Sequence, residues 1–203
     1  MTEEFLKGVY GLTDPKALRD HYDRWSHSYD DDLRQAGYAT PTRVAQALKD
    51  AGGSGPVLDF GCGTGLSGAA LHAAGFDRID GLDVSAEMLE RAADKGIYRR
   101  VIHVRPDDDL PVQRGDYAAI VATGVIGAGA APLSVFDALL AVLGTGALLA
   151  FSFNDHTLED PDYEARVTAA CEDGSLRLIS REAGPHLPQE GIGAVVYVAE
   201  RTR

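Results

Sequence analysis

Residues 57–65 read Val-Leu-Asp-Phe-Gly-Cys-Gly-Thr-Gly, and residues 79–85 read Ile-Asp-Gly-Leu-Asp-Val-Ser. The first segment is an apolar strand running into glycines at alternate positions, Gly61, Gly63 and Gly65. Glycine lets a backbone approach a ligand closely and take up positive φ. The second segment is a short strand ending on an acid, Asp83. A carboxylate placed there can accept both hydroxyls of a ribose. Strand, glycine-rich turn, helix and a second strand ending in a carboxylate make a nucleoside-binding half-fold.

Two frames compete for that pattern. Shifted by one glycine, Gly63-Thr64-Gly65-Leu66-Ser67-Gly68 matches G-x-G-x-x-G, and Asp83 lies 20 residues beyond Gly63, the spacing of the acid that binds a dinucleotide ribose. That frame buries Asp59 and Gly61 inside a parallel strand, where an unpaired acid is costly and glycine weakens the strand. In the unshifted frame the strand covers residues 56–60 and the turn starts at Gly61. Asp59 then lies at the carboxyl end of the strand, facing the crevice where ligands bind. An acid there suits an ammonium group better than a pyrophosphate. S-adenosylmethionine carries an ammonium and a sulfonium; NAD(P) is the alternative cofactor.

The elements that must position these residues alternate along the chain. Asp14 followed by Pro15 opens one or two helices over 14–36, and Pro41 opens another to about Ala51. After Gly52-Gly53-Ser54-Gly55, strands are predicted at 56–60, 78–83, 99–104, 116–122 and 146–153. Helices fall at about 66–74, from Ser85 to about Asp94, at about 133–143 and near 161–173, with Ser85 as an N-cap that excludes Met88. Two antiparallel strands, 175–182 and 193–201, close the chain. Strands alternating with helices imply a mostly parallel sheet.

Composition narrows the function. The chain has 203 residues, 45% of them hydrophobic, which fits one α/β unit covered on both faces of its sheet. A net charge of −12 repels phosphate backbones, so nucleic acid is not the expected substrate. Arg99, Arg100 and Arg105 form the densest basic cluster, and Asp107, Asp108 and Asp109 offset it, which reads as solvated strand ends. Cys62 and Cys171 have no metal-ligand spacing, and no metal is expected. The start Met-Thr-Glu-Glu lacks the basic-then-apolar order of a signal peptide, and Gly124, Gly127, Gly129 and Pro132 interrupt the apolar stretch 117–133. These features predict a cytoplasmic chain without a membrane span, a monomer or homodimer.

The segment Val57–Gly65 resembles the first motif of class I S-adenosylmethionine-dependent methyltransferases. Residues 81–89, Gly-Leu-Asp-Val-Ser-Ala-Glu-Met-Leu, are similar to the second, and residues 115–121 to the fourth-strand segment. Upstream, Tyr22-Asp23-Arg24-Trp25, with Asp30 beyond, resembles the small-molecule-type enzymes, and the whole pattern is closest to the Williams–Beuren-region methyltransferase-like group. The resemblance implies a doubly wound, mostly parallel seven-stranded sheet over residues 53–203, with an N-terminal helical lid over 1–52. It implies a cofactor site formed by Asp59, Gly61, Cys62, Gly63, Thr64, Gly65 and Asp83. It also implies that Met88 or Val84 packs against the adenine, that Asp107 holds the adenine amino group, and that Thr123 and Gly124 flank the methionine part.

Tyr22, Trp25 and Tyr29 lie three and four residues apart, on one helical face. Such a face either packs onto the sheet or forms a lid over the sulfonium and the acceptor. His27, His156 and His186 are the candidate bases, although a lone histidine is more often a surface or capping residue. Strand four is followed by Ala122-Thr123-Gly124-Val125 rather than Asp/Asn-Pro-Pro-Tyr, which argues against methylation of base amino groups. The expected reaction is in-line methyl transfer to a small molecule; a cofactor-binding regulator of the same fold is the non-catalytic alternative.

Overall fold

A computed structural model describes residues 14–106, 108–127 and 129–203. Among them, three helices precede the first strand: α1 (Pro15–Trp25), α2 (Tyr29–Ala36) and α3 (Thr40–Asp50). Asp14 caps α1 by accepting from the Ala17 N–H at 2.8 Å, and α2 stops at Gly37, whose φ of 75° is left-handed. Alternation then sets in: β1 (Val57–Phe60), α4 (Leu66–Ala73), β2 (Ile79–Asp83), α5 (Ala86–Asp94), β3 (Arg100–His103), β4 (Ala119–Ala122), α6 (Ser134–Val142) and β5 (Leu148–Asn154). A short α7 (Asp155–Leu158), α8 (Pro161–Glu172) and the hairpin β6 (Leu176–Leu187)–β7 (Ile192–Arg201) finish the chain.

The seven strands form one sheet in the order β3-β2-β1-β4-β5-β7-β6. Strands β1 to β5 are parallel, and β7 runs antiparallel between β5 and β6. Sequential strands step outward from β1 in one direction up to β3 and then jump back to β4. The switch point therefore lies between β1 and β4, and ligands bind outside the carboxyl ends of the strands at such a point.

Both faces of the sheet are dry. Leu58 and Phe60 of β1, Ile120 and Ala122 of β4, and Leu149, Phe151 and Phe153 of β5 pack with Phe136, Leu139 and Leu140 of α6 and Val167 of α8. Their alternates Val57, Ala119, Val121, Leu148 and Ala150 pack with Val44, Ala45 and Leu48 of α3 and Leu71 of α4. This is the period-two pattern of a sheet covered on both sides. Asp59 and Asp83 have the parity of the α3/α4 face.

Four expectations need correcting. Helix α3, expected within the lid over 1–52, instead packs in the core of the sheet through Val44, Ala45 and Leu48. Strand β4 begins at Ala119, not 116, because residues 113–116 form a turn in which Asp116 accepts from the Gln113 N–H. Strand β6 runs on to Leu187 through Pro185, which an edge strand tolerates because a ladder bond is missing only on its outer side. Arg99 and Arg100 are not free strand ends: Asp80, in register beside Arg100 and 1% exposed, accepts from both guanidiniums and from the Tyr117 hydroxyl.

Candidate active site

The turn after β1 is built by conformation. Gly61, Gly63 and Gly65 have φ of 66°, 54° and 92°, the left-handed region that side chains disfavour. The N–H groups of Gly61 and Cys62 both donate to the Leu82 carbonyl, at 2.7 and 3.0 Å, which ties the turn to the carboxyl end of β2. Nothing lies within 4 Å of a Cβ built on Gly63, so the backbone there is open to close approach. The turn starts at Gly61, in the unshifted frame. Gly68, the third glycine of the dinucleotide match, serves something else: a Cβ there would lie 2.2 Å from the Tyr98 hydroxyl.

Three acids surround this turn, each held differently. Asp59 is fully buried; its Oδ2 accepts from Ser67 Oγ at 2.6 Å and from Tyr98 Oη at 2.7 Å, and its Oδ1 has no partner. Burial pushes its carboxyl up to about 6, against the pull of the two hydroxyls. Asp83 is half-buried and accepts from the Gly63 N–H at 2.8 Å and the Ser85 N–H at 2.9 Å. Burial raises its carboxyl too, opposed by those backbone donors. Asp30, from α2, accepts from Thr64 Oγ1 at 2.5 Å and from Lys95 Nζ at 2.6 Å. Lys95 also donates to the Thr64 carbonyl at 2.7 Å. Burial beside Asp59 and Asp83 pushes the Cys62 thiol up, which keeps it protonated and inert.

The N-terminal helices are fastened over this end of the sheet. Asp23 accepts from Ser85 Oγ at 2.5 Å, and the Tyr22 hydroxyl donates to the Gly129 carbonyl at 3.2 Å. The aromatic face expected on one helix is in fact a corner, because α1 ends at Trp25 and Tyr29 starts α2. The three rings still meet: Tyr22 stacks on Trp25 at 6.1 Å, and Tyr29 stands edge-on to Trp25 at 4.6 Å. Trp25, 1% exposed, packs with Leu33, Ala36 and Leu187, and its Nε1 donates to Asp32 at 2.8 Å. Tyr22 and Tyr29 are only half-buried. Burial and the neighbouring Tyr22, Tyr38 and Asp83 raise the Tyr29 phenol.

The remaining sequence candidates divide. Thr123, at the end of β4, is buried with an unpartnered Oγ1, and the Gly124 N–H donates to Ser152 Oγ at 3.0 Å. Val84 is half-buried beside His103, whose Nε2 lies 3.1 Å from the Val84 carbonyl. Met88 is buried and, contrary to expectation, completes the cap of α5: its N–H donates to Ser85 Oγ at 3.1 Å. Asp107 lies outside the described residues. His27 is exposed, with Nδ1 3.3 Å from Ser26 Oγ, and His156 pairs with Glu159 at 3.5 Å on α7. His186 is buried with Nδ1 2.8 Å from Thr40 Oγ1, and burial pulls it down to about 4, so its ring is neutral near pH 7.

Sequence reasoning missed Ser67, Lys95, Tyr98 and Tyr38. Tyr38 comes close to the end of β4, since a Cβ on Gly124 would lie 2.7 Å from its hydroxyl. Gly68 inside a helix and Gly81 inside a strand were the signal for Tyr98, because neither position needs glycine for a turn.

A family profile described as a methyltransferase domain matches residues 29–183. The chain belongs to the methyltransferase-domain family. Methyltransferase-like protein 27 of Homo sapiens is 32% identical over 139 residues, 66% of this methyltransferase-domain chain and 57% of the human protein. The match thus spans less than two thirds of that relative's length. Among solved structures, the complex between the Haloferax volcanii Trm112 methyltransferase activator and the putative methyltransferase aligns with a TM-score of 0.69 at 17% identity, covering 92% of this chain and 98% of that one. Burkholderia thailandensis 1,6-didemethyltoxoflavin-N1-methyltransferase, with bound 1,6-didemethyltoxoflavin and S-adenosylhomocysteine, aligns with a TM-score of 0.66 at 16% identity, covering 95% and 92%. At these identities the structural likeness speaks for the fold.

Proposed function

We propose that the protein is an S-adenosylmethionine-dependent methyltransferase acting on a small acceptor held beneath α1 and α2. The single observation that carries this is the left-handed glycine turn at the β1/β4 switch point, with two buried, unpartnered polar atoms beside it, Asp59 Oδ1 and Thr123 Oγ1. Unsatisfied buried acceptors are costly, and a bound polar group that donates to them removes the cost. An ammonium suits Asp59. Asp83 has lone pairs left for ribose hydroxyls beyond the two backbone donors it already serves. A solved structure of similar fold, the Burkholderia thailandensis 1,6-didemethyltoxoflavin-N1-methyltransferase, holds a bound small molecule, which supports that acceptor class.

Bound there, the cofactor supplies a methyl group already activated on a sulfonium. The chain's own work is to align and to exclude water. Asp59 and Asp83 would hold the ammonium and ribose ends of the cofactor, Gly63 would let the backbone approach it, and Asp30, Asp23 and Tyr22 fasten the helices above. Orientation of this kind supplies about 7–11 kcal/mol of such a barrier. His27 and His156 are the candidate bases for an acceptor that must lose a proton; His186, buried against Thr40 and pulled down to about 4, is a weak base near neutral pH. The net charge of −12 favours a neutral or cationic acceptor over nucleic acid. A screen for S-adenosylhomocysteine release across a metabolite library, with RNA and protein arms, tests the reading. Turnover confined to the RNA or protein arm would refute the small-molecule assignment.

A further inference from the structure

Three glycines clear the space that Tyr98 occupies. A Cβ at Gly68 would lie 2.2 Å from its hydroxyl, one at Gly81 3.0 Å from its ring and one at Gly65 3.1 Å from it. Tyr98 sits between α5 and β3, and through that space its hydroxyl reaches Oδ2 of Asp59 at 2.7 Å. Ser67 Oγ donates to the same oxygen at 2.6 Å. Two donors thus converge on one carboxylate oxygen, while the other is buried without a partner. Two hydroxyls bound to Oδ2 restrain the carboxylate from turning and leave Oδ1 the acceptor in wait.

We propose that Tyr98 is a positioning residue for the amino group of the cofactor: by holding Oδ2 together with Ser67, it presents Oδ1 of Asp59 to that ammonium. The proposal rests on the cofactor reading above. The groups that face Asp59 are Ser67 and the Gly68 N–H of α4, Tyr98, Cys62 of the turn and Asp83 of β2. Burial and Asp83 disfavour its charge, and the hydroxyls and the N–H favour it. Losing the Tyr98 hydroxyl therefore raises the pH needed to ionise Asp59.

Tyr98→Phe removes the hydroxyl and keeps the ring that the glycines accommodate. Calorimetry with S-adenosylhomocysteine and with 5′-methylthioadenosine, which shares the adenosine and sulfur but lacks the amino acid, separates positioning from packing. The expected result is about a tenfold loss for S-adenosylhomocysteine and none for 5′-methylthioadenosine. The pH midpoint of S-adenosylhomocysteine binding should also move upward. Ser67→Ala should give the same ligand-selective loss. Equal losses for both ligands, or no loss for either, overturn the role of Tyr98 while leaving the cofactor reading intact. Failure of the unaltered protein to bind either ligand overturns the cofactor reading, and this proposal with it.

Discussion

Asp30→Ala cuts the link between α2 and the glycine turn, and its cost can be worked from the contacts. The carboxylate accepts from Thr64 Oγ1 at 2.5 Å and pairs with Lys95 Nζ at 2.6 Å, with the two charged side chains 30% and 25% exposed. A hydrogen bond to a charged group is worth about 1.5–3 kcal/mol. The ion pair adds at most about 1 kcal/mol, since a pair that is a quarter exposed is partly screened. Lys95 keeps the Thr64 carbonyl at 2.7 Å and is not left without an acceptor. The expected loss is about 2 kcal/mol, or a fall in melting temperature of about 4–8 °C for a chain of this size. Asp30→Asn retains a neutral acceptor for Thr64 but loses its charge and the ion pair, so it should cost about 1 kcal/mol, less than the alanine. Hydrogen exchange should accelerate in α1 and α2 before the sheet, because the lid opens first. Unchanged melting of Asp30→Ala together with unchanged exchange over residues 15–36 would refute the reasoning.

Asp83→Ala should weaken S-adenosylhomocysteine binding by about 1.5–3 kcal/mol in calorimetry, and an unchanged dissociation constant would reduce Asp83 to a turn-holding acid. Burial pushes Asp59 up to about 6 from an ordinary 3.8, so the native state keeps a proton that the unfolded chain has released between those values. Stability of the free protein therefore falls as pH rises through that window, by up to about 3 kcal/mol. Asp59→Asn should accordingly melt higher than the unaltered protein at neutral pH while binding S-adenosylhomocysteine more weakly; a lower melting point with unaltered affinity would contradict both halves. Removing residues 1–35 strips Trp25 and Leu33 from Leu187, yet leaves both faces of the sheet covered, so circular dichroism should show a folded but less stable domain with weakened cofactor binding. A truncated chain that aggregates would make the aromatic corner part of the core.

What could be read from the sequence was what local pattern dictates. The glycine turn, the acids ending β1 and β2 and the strand–helix alternation are each written within a few neighbouring residues. The unshifted frame was right, since β1 ends at Phe60, but its premise was not: Asp59 lies buried within β1 all the same, with Ser67 and Tyr98 donating to one oxygen and the other left without a partner. Contacts between distant residues were not legible. Ser67, Tyr98 and Lys95 converge on Asp59 and Asp30 only because the half-fold brings α4, α5 and α2 together. The register of β2 and β3, which pairs Asp80 with Arg100, was equally hidden, so a buried ion network read as solvated ends. The break between α1 and α2 escaped notice because Tyr22, Trp25 and Tyr29 keep helical spacing across it.

The central claim is that the glycine turn between Asp59 and Asp83 holds S-adenosylmethionine. Calorimetric titration of the full chain with S-adenosylhomocysteine and, separately, with NAD tests it directly. The account predicts micromolar or tighter binding of S-adenosylhomocysteine and none of NAD at the same concentrations. Tight binding of NAD with no response to S-adenosylhomocysteine would contradict it.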